Sequence, residues 1–237
     1  MIKDYQKPQA LLAYDEKEGK FLPRFANSNN DYLRSLAWVV HEHFEGPVVC
    51  VHWDGKNIEW AGEGKEPLPV AVDDLLHDKF DNTEAVFKKM FETKEAHLFM
   101  VAIGGKINGG AYGGKERLIG LDVLLENNFL GKGAIKQVFD AFDVNSIEIF
   151  RVSNLQEAVN IVLKGAVSKH NLKGSETPLN GLDCYPLQIL FDSTGERICT
   201  LIRKEDLENI YDPNAAKAEP APEPAPKKGK KGSKKPN

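Results

Sequence analysis

Residues 97–142, HLFMVAIGGKINGGAYGGKERLIGLDVLLENNFLGKGAIKQVFDAF, decide the fold. HLFMVAI (97–103), KINGGAY (106–112) and RLIGLDVLL (117–125) read as three strands, with Gly104-Gly105 as a tight turn between the first two. GAIKQVFDAF (133–142) then carries apolar residues at helical spacing. Three strands in succession followed by a helix, rather than strictly alternating strand and helix, predict an α+β chain with a mixed, mostly antiparallel sheet flanked by helices.

Downstream, SIEIFRV (146–152) reads as a strand and LQEAVNIVLKGAVSK (155–169) as a helix. YPLQILF (185–191) and RICTLIR (197–203) form a final pair of strands joined by DSTGE, with a short helix over 204–211. Upstream, VAVDDLLHDKF (70–80) and TEAVFKKMFETK (83–94) are two amphipathic helices. GPVVCVHW and KNIEWAG flank Asp54-Gly55, a hairpin signal because a two-residue primed turn needs positive φ. QALLAY and FLPRF, within 9–25, predict another hairpin. The cluster NSNND (27–31) offers caps for a helix from Tyr32 to Phe44, on which Tyr32, Leu33, Leu36, Ala37, Val40 and Phe44 share a stripe.

The chain has 237 residues, 31 Lys and Arg against 35 Asp and Glu, and 41% hydrophobic residues, enough for a sizeable core and unlike a wholly disordered chain. No run approaches the ~18 apolar residues of a membrane span. The N-terminus lacks the apolar centre of a signal peptide, which predicts a cytoplasmic, reducing location. Three widely spaced cysteines, Cys50, Cys184 and Cys199, fit neither a disulfide framework nor a metal knuckle.

Composition changes after Tyr211. Residues 213–237 hold six prolines and seven lysines against two glutamates, so an acidic body carries a basic tail. Such a segment cannot bury enough surface to fold. The expected division is an N-terminal hairpin-and-helix extension (1–46), an α+β domain (47–212) and a disordered Pro/Ala-rich linker with a Lys-rich tip (213–237). In that tip Lys227, Lys228, Lys230, Lys231, Lys234 and Lys235 are the candidate polyanion-binding residues, suited to nucleic acid or an acidic partner through counterion release.

Several motifs in the body dissolve on inspection. Gly109 to Lys115 spells GxxxxGK, but Glu116 stands where a P-loop needs Ser or Thr, and a strand pattern follows where it needs a helix. His41, His43 and His52 suggest a metal cluster, yet on the expected helix His41 and His43 diverge, so no metal is predicted. Asp73 and Asp74 are sequence neighbours on a helix and do not face each other. The strongest candidate is Gly131-Lys132-Gly133, where a loop opens a helix: unpaired amides and the positive end of the helix dipole favour phosphate there.

The order of elements around that loop is similar to the GNAT superfamily of acyl-CoA N-acyltransferases, over about residues 47–203. Asn128-Phe-Leu-Gly131-Lys-Gly133 resembles the family's Gln/Arg-x-x-Gly-x-Gly/Ala loop, and Asn154 and Gly165 stand at its usual separation. The resemblance implies a GNAT-like fold that binds acetyl-CoA or another acyl-CoA and transfers the acyl group to an amine. It implies cofactor contacts at Val123, Asn128, Gly131, Lys132, Gly133, Ala134 and Asn154, and a catalytic carboxylate at Asp122 or Glu126. Asn128 departs from the pattern, and Ile161 stands where the family's catalytic Tyr is expected, so acyl transfer itself is in question. The alternative is a non-enzymatic nucleic-acid-binding or assembly protein that uses its basic tail.

Overall fold

Alternation of side chains along the strands sorts this chain into two sheets, with buried charged residues and smaller apolar clusters between them. The computed structural model describes residues 1–107, 112–170 and 178–207. The strands are β1 (Gln9–Ala10), β2 (Leu12–Asp15), β3 (Lys20–Phe25), β4 (Trp38–Glu42), β5 (Val48–Trp53), β6 (Ile58–Gly62), β7 (Ala96–Ile103), β8 (Arg117–Leu125), β9 (Asn128–Phe129), β10 (Asn145–Ser146), β11 (Ile149–Val152), β12 (Gly181–Pro186) and β13 (Thr200–Arg203). The helices are α1 (Asn29–Leu33), α2 (Val70–Phe80), α3 (Glu84–Phe91), α4 (Lys132–Ala141), α5 (Leu155–Leu163) and α6 (Lys204–Leu207).

One sheet has the order β1-β13-β12-β4-β11, and the other β10-β8-β7-β5-β6 with β9 folded back on β8. Pairing is antiparallel except at β1–β13 and β10–β8. The α+β class therefore holds, with helices on the outer faces. On β5, Val49, Val51 and Trp53 face one way and pack with Leu76, Phe80, Phe87 and Phe139 of α2, α3 and α4. On β4 and β12, Trp38, Val40, Leu182 and Cys184 pack against Leu155, Val159 and Val162 of α5. The residues between them in sequence point inward, where the two sheets meet.

The expected hairpins form at β2–β3 and β5–β6, with Gly55 at φ 95° as the turn requires. The expected helix over 32–44 does not. The chain makes only α1 and then β4, whose five residues are all buried between β12 and β11. Trp38-Val39-Val40 is a β-branched, aromatic run, and ladder bonds on both sides outweigh the helical stripe. The strand expected over 146–152 divides: β10 pairs with β8, then the chain crosses to the other sheet as β11. The helix expected to reach 169 stops at Leu163, with Gly165 at φ 69° just beyond its end. Of the strand expected over 106–112, residues 108–111 lie outside the described residues, and β7 pairs directly with β8. The final strand pair is also displaced, to 181–186 and 200–203. Strands from both sides of residue 46 build the first sheet together. No helix among the described residues is long and apolar enough to cross a membrane.

Candidate functional site between the two sheets

β4 ends in His41-Glu42, and His43 follows it directly. As strand and strand-end residues, His41 and His43 share a face, and both reach Asp183 on the neighbouring β12. His43 Nδ1 lies 2.9 Å from Asp183 Oδ1, and His41 Nδ1 lies 3.8 Å from Oδ2. His41 is fully enclosed, and burial pulls its pKa down to about 4, against the opposing pull of Asp183. His43 is partly open to solvent. With Nδ1–H donating to Asp183, His43 keeps a lone pair on Nε2.

A bulge places the next charge. β7 and β8 slip register between Phe99 and Met100, so Leu121 is the extra residue. Gly120 faces the helices, with the Phe139 ring against it, and Val123 also joins the helix-side core. The two residues between them therefore both turn inward, and Asp122 enters the layer between the sheets. It is wholly buried and ion-paired with Arg197, while Lys132 Nζ stands 4.0 Å away. The Arg197 guanidinium lies between two rings, 4.6 Å from the Phe129 centroid and 4.5 Å from that of Tyr185. Tyr185 shares a 2.8 Å hydrogen bond with Tyr5. Lys132 Nζ sits 4.9 Å above the Tyr185 ring; it is buried without a hydrogen-bond partner, and burial lowers its pKa.

Two cavities open from this layer. One, of about 290 Å³, is lined by His43, Glu45, Gly46, Asp183, Lys7 and the apolar Phe44, Val101, Leu121 and Leu201, among others. The other, of about 680 Å³, lies where β10 and β11 diverge and is lined by Lys132, Gly133, Lys136 and Arg151, among others.

The residues singled out from the sequence scatter across this arrangement. Gly131 caps α4, Lys132 and Gly133 begin it, and a Cβ added at either glycine would meet nothing within 4 Å. Ala134 donates its N–H to Gly131 O. The Val123 amide is spent on Asp122 Oδ1, and its carbonyl accepts from Leu130. Asn128 is exposed on β9. Glu126 is an exposed turn residue at φ 57°, away from Asp122's enclosed position. Asn154 caps α5, accepting from the Glu157 amide at 2.9 Å, and lines a separate cleft with Arg34 and Leu155. Ile161 packs on the α5 side of the first sheet. The six tail lysines lie outside the described residues. No local motif in the sequence points to Asp183 or Arg197; the alternation of Asp183 and Tyr185 with Leu182 and Cys184 is the available signal.

No family model matches this sequence. No curated protein matches it either. Solved structures do match. Naegleria gruberi RNA ligase with AMP and Mn superposes with a TM-score of 0.58 at 12% identity, over 86% of this chain and 61% of that one. The same ligase with PPi gives 0.57 at 12% identity, over 89% and 63%. A variant without ligand gives 0.60 at 11%, over 89% and 58%. The chain shares its fold with RNA ligases. It spans about three fifths of the length of those it matches.

That likeness overturns the GNAT reading, and with it acyl-CoA, the acyl-transfer function and the small thioester partner. The physical reason is visible at β10: the helix that opens at Gly131 leads into a strand of only two residues beside β8, and the chain then crosses to a second sheet. The expectation of no metal falls too, since the matching ligases are recorded with ATP or AMP and Mn.

Proposed function

We propose that this chain binds an adenine nucleotide with a divalent ion in the cleft between its sheets, and that it serves nucleic acid, RNA foremost. The observation that carries the reading is the 290 Å³ cleft at the His43–Asp183 pair, in a fold whose solved ligases include complexes with AMP and Mn. The residues present suit those groups. Asp183 and Glu45 offer the oxygen ligands that hard divalent ions prefer. Phe44, Val101, Leu121 and Leu201 offer apolar walls for a base. Lys7 contributes positive charge at the rim, although Glu63 already pairs with it.

His43 is the side chain best placed to act on a bound phosphate. Asp183 fixes its ring, and the free Nε2 is available as hydrogen-bond acceptor or base. The Lys-rich tail, by its charge alone, supplies a salt-dependent hold on an RNA backbone. Three free, buried cysteines suit the cytoplasmic location we assign.

Calorimetric titration of the full chain with ATP or AMP, each with MnCl₂, tests this. We expect saturable binding, weakened about tenfold or more in His43→Ala and in Asp183→Asn, the loss of roughly one charge-assisted hydrogen bond. No heat with either nucleotide overturns the cleft reading. For nucleic acid, a salt series on RNA binding by the full chain and by residues 1–212 reads the tail's share: a steep dependence that disappears on truncation supports it, and equal slopes overturn it.

A further inference from the structure

Away from that cleft, one cross-strand row on the inner face of the second sheet is built from Glu59, His52 and His97. The register pairs His52 with Glu59 on one side and with His97 on the other. Both histidines are buried, at 1% and 0% exposure, and their rings stack 4.4 Å apart. Glu95, just before β7, brings its Oε1 to 2.8 Å from His52 Nε2 and 3.9 Å from His97 Nε2. One ligand atom from each of His52, Glu95 and His97 lies within 4.8 Å of the others.

We propose that His52, Glu95 and His97 form a binding site for a borderline transition-metal ion, Zn²⁺ in the first place. The second carboxylate argues for it. Glu59 Oε1 is 2.7 Å from His52 Nδ1 and Glu95 Oε1 is 2.8 Å from Nε2; with Nδ1–H donating to Glu59, Nε2 is the nitrogen left to ligate. A histidine that ligates metal is held in this way by an outer carboxylate. In a neutral imidazole one lone pair therefore faces a carboxylate oxygen at 2.8 Å, a contact that a cation at that nitrogen relieves; the Met1 ammonium, 3.3 Å from the same Glu95 oxygen, adds positive charge beside it. In a tetrahedral zinc site with ligands near 2.0 Å, neighbouring ligand atoms stand about 3.3 Å apart, and the two histidine–glutamate distances fall on either side of that value. His97 Nε2 carries its N–H toward the Met1 carbonyl oxygen at 3.0 Å, so an ion bound there would displace that proton and leave the carbonyl as a further oxygen ligand at the same spot. Two imidazoles and a carboxylate match zinc, whereas manganese and magnesium favour all-oxygen sites, so this site is separate from any ion that accompanies a nucleotide at Asp183. A bound ion would tie β5, β7 and the N-terminal residues together where they close one end of the inter-sheet layer.

The rival occupant is a proton, which would make His52 an imidazolium between two carboxylates. Untagged full-length protein, stripped with EDTA and titrated with ZnCl₂ by calorimetry and with CoCl₂ by visible absorption, separates the two. We expect one equivalent bound, with tetrahedral cobalt bands, and loss of both in His52→Gln and His97→Gln. Glu59→Gln, at an exposed side chain that puts folding at little risk, should weaken uptake by 10–100-fold. His77→Gln, which removes the exposed His77 between Asp73 and Asp81, should leave it unchanged. No uptake by the parent, uptake equal to the parent's in Glu59→Gln and the histidine variants, or uptake lost only in His77→Gln overturns the site.

Discussion

Asp122 and Arg197, 75 positions apart in sequence, form a wholly enclosed ion pair that joins the two sheets. Gln6 braces it from the N-terminal segment, accepting from the Arg197 amide at 3.0 Å and donating to its carbonyl at 2.8 Å. Taking either partner away strands the other in a medium that cannot solvate it. Asp122→Asn should therefore destabilise the chain by about 3–5 kcal/mol. The double variant Asp122→Leu/Arg197→Met should recover most of that loss, because two apolar side chains need no compensation. Urea unfolding of the three proteins checks both statements.

His41 makes stability depend on pH. Its folded pKa is near 4, against about 6.5 for an unperturbed histidine, so between those values the unfolded chain binds a proton that the folded chain refuses. Stability from this source is complete above about pH 6.5 and is lost progressively as the pH falls toward 4. The span is worth about 3 kcal/mol. The groups facing His41 are Asp183, Asp122 and Lys132, with the Glu42 carbonyl on Nδ1. Burial also depresses His97 and His170, which adds to the same slope. His41→Asn should consequently flatten, without abolishing, the fall in denaturation midpoint between pH 7 and pH 5.

Two glycines of similar appearance in the sequence should respond oppositely to alanine. At Gly120 a new Cβ would lie 2.2 Å from the Phe139 ring, inside a core with no room to yield. Gly120→Ala should cost about 1–3 kcal/mol, the usual price of overpacking. At Gly133, in the first turn of α4, the Cβ would meet nothing within 4 Å. Gly133→Ala should be neutral or stabilising by up to about 1 kcal/mol, since alanine is the better helix former. Thermal melts of both variants settle the contrast.

These cases show what local sequence could and could not convey. α2, α3 and α4 were readable because each carries a one-sided apolar stripe, and the β5–β6 hairpin because Asp54-Gly55 marks its turn. β4 was not, because Leu33, Leu36, Val40 and Phe44 mimic a helical stripe that only the flanking β11 and β12 override. The misreading had a functional cost. On a helix His41 and His43 point apart, whereas on β4 they converge on Asp183, 140 residues after His43. Asp122 and Lys132, which the sequence suggests for a different chemistry, do meet in space, but Arg197, the partner of Asp122, arrives from a late loop that no local pattern connects to them. In sequence His52 stands nearest His41 and His43, while its neighbour in space, His97, comes from β7 by cross-strand register.

Lys132 tests whether the inner layer is arranged for stability. Its Nζ is buried without a hydrogen-bond acceptor, and its nearest anion, 4.0 Å away, already belongs to Arg197. An ammonium so placed loses hydration and recovers little, and leaving such a donor unsatisfied costs about 1–3 kcal/mol or more. Methionine has nearly the same length, keeps the packing over Tyr185 and carries no charge. Lys132→Met should thus be as stable as the parent or more so, by about 1 kcal/mol, in urea at pH 7. A raised midpoint means that this lysine weakens the fold it sits in, and an equal one that its charge contributes nothing to that fold. A midpoint lowered by more than about 1 kcal/mol would show instead that Asp122 needs both cations, and that Lys132 is part of the fold's own charge balance.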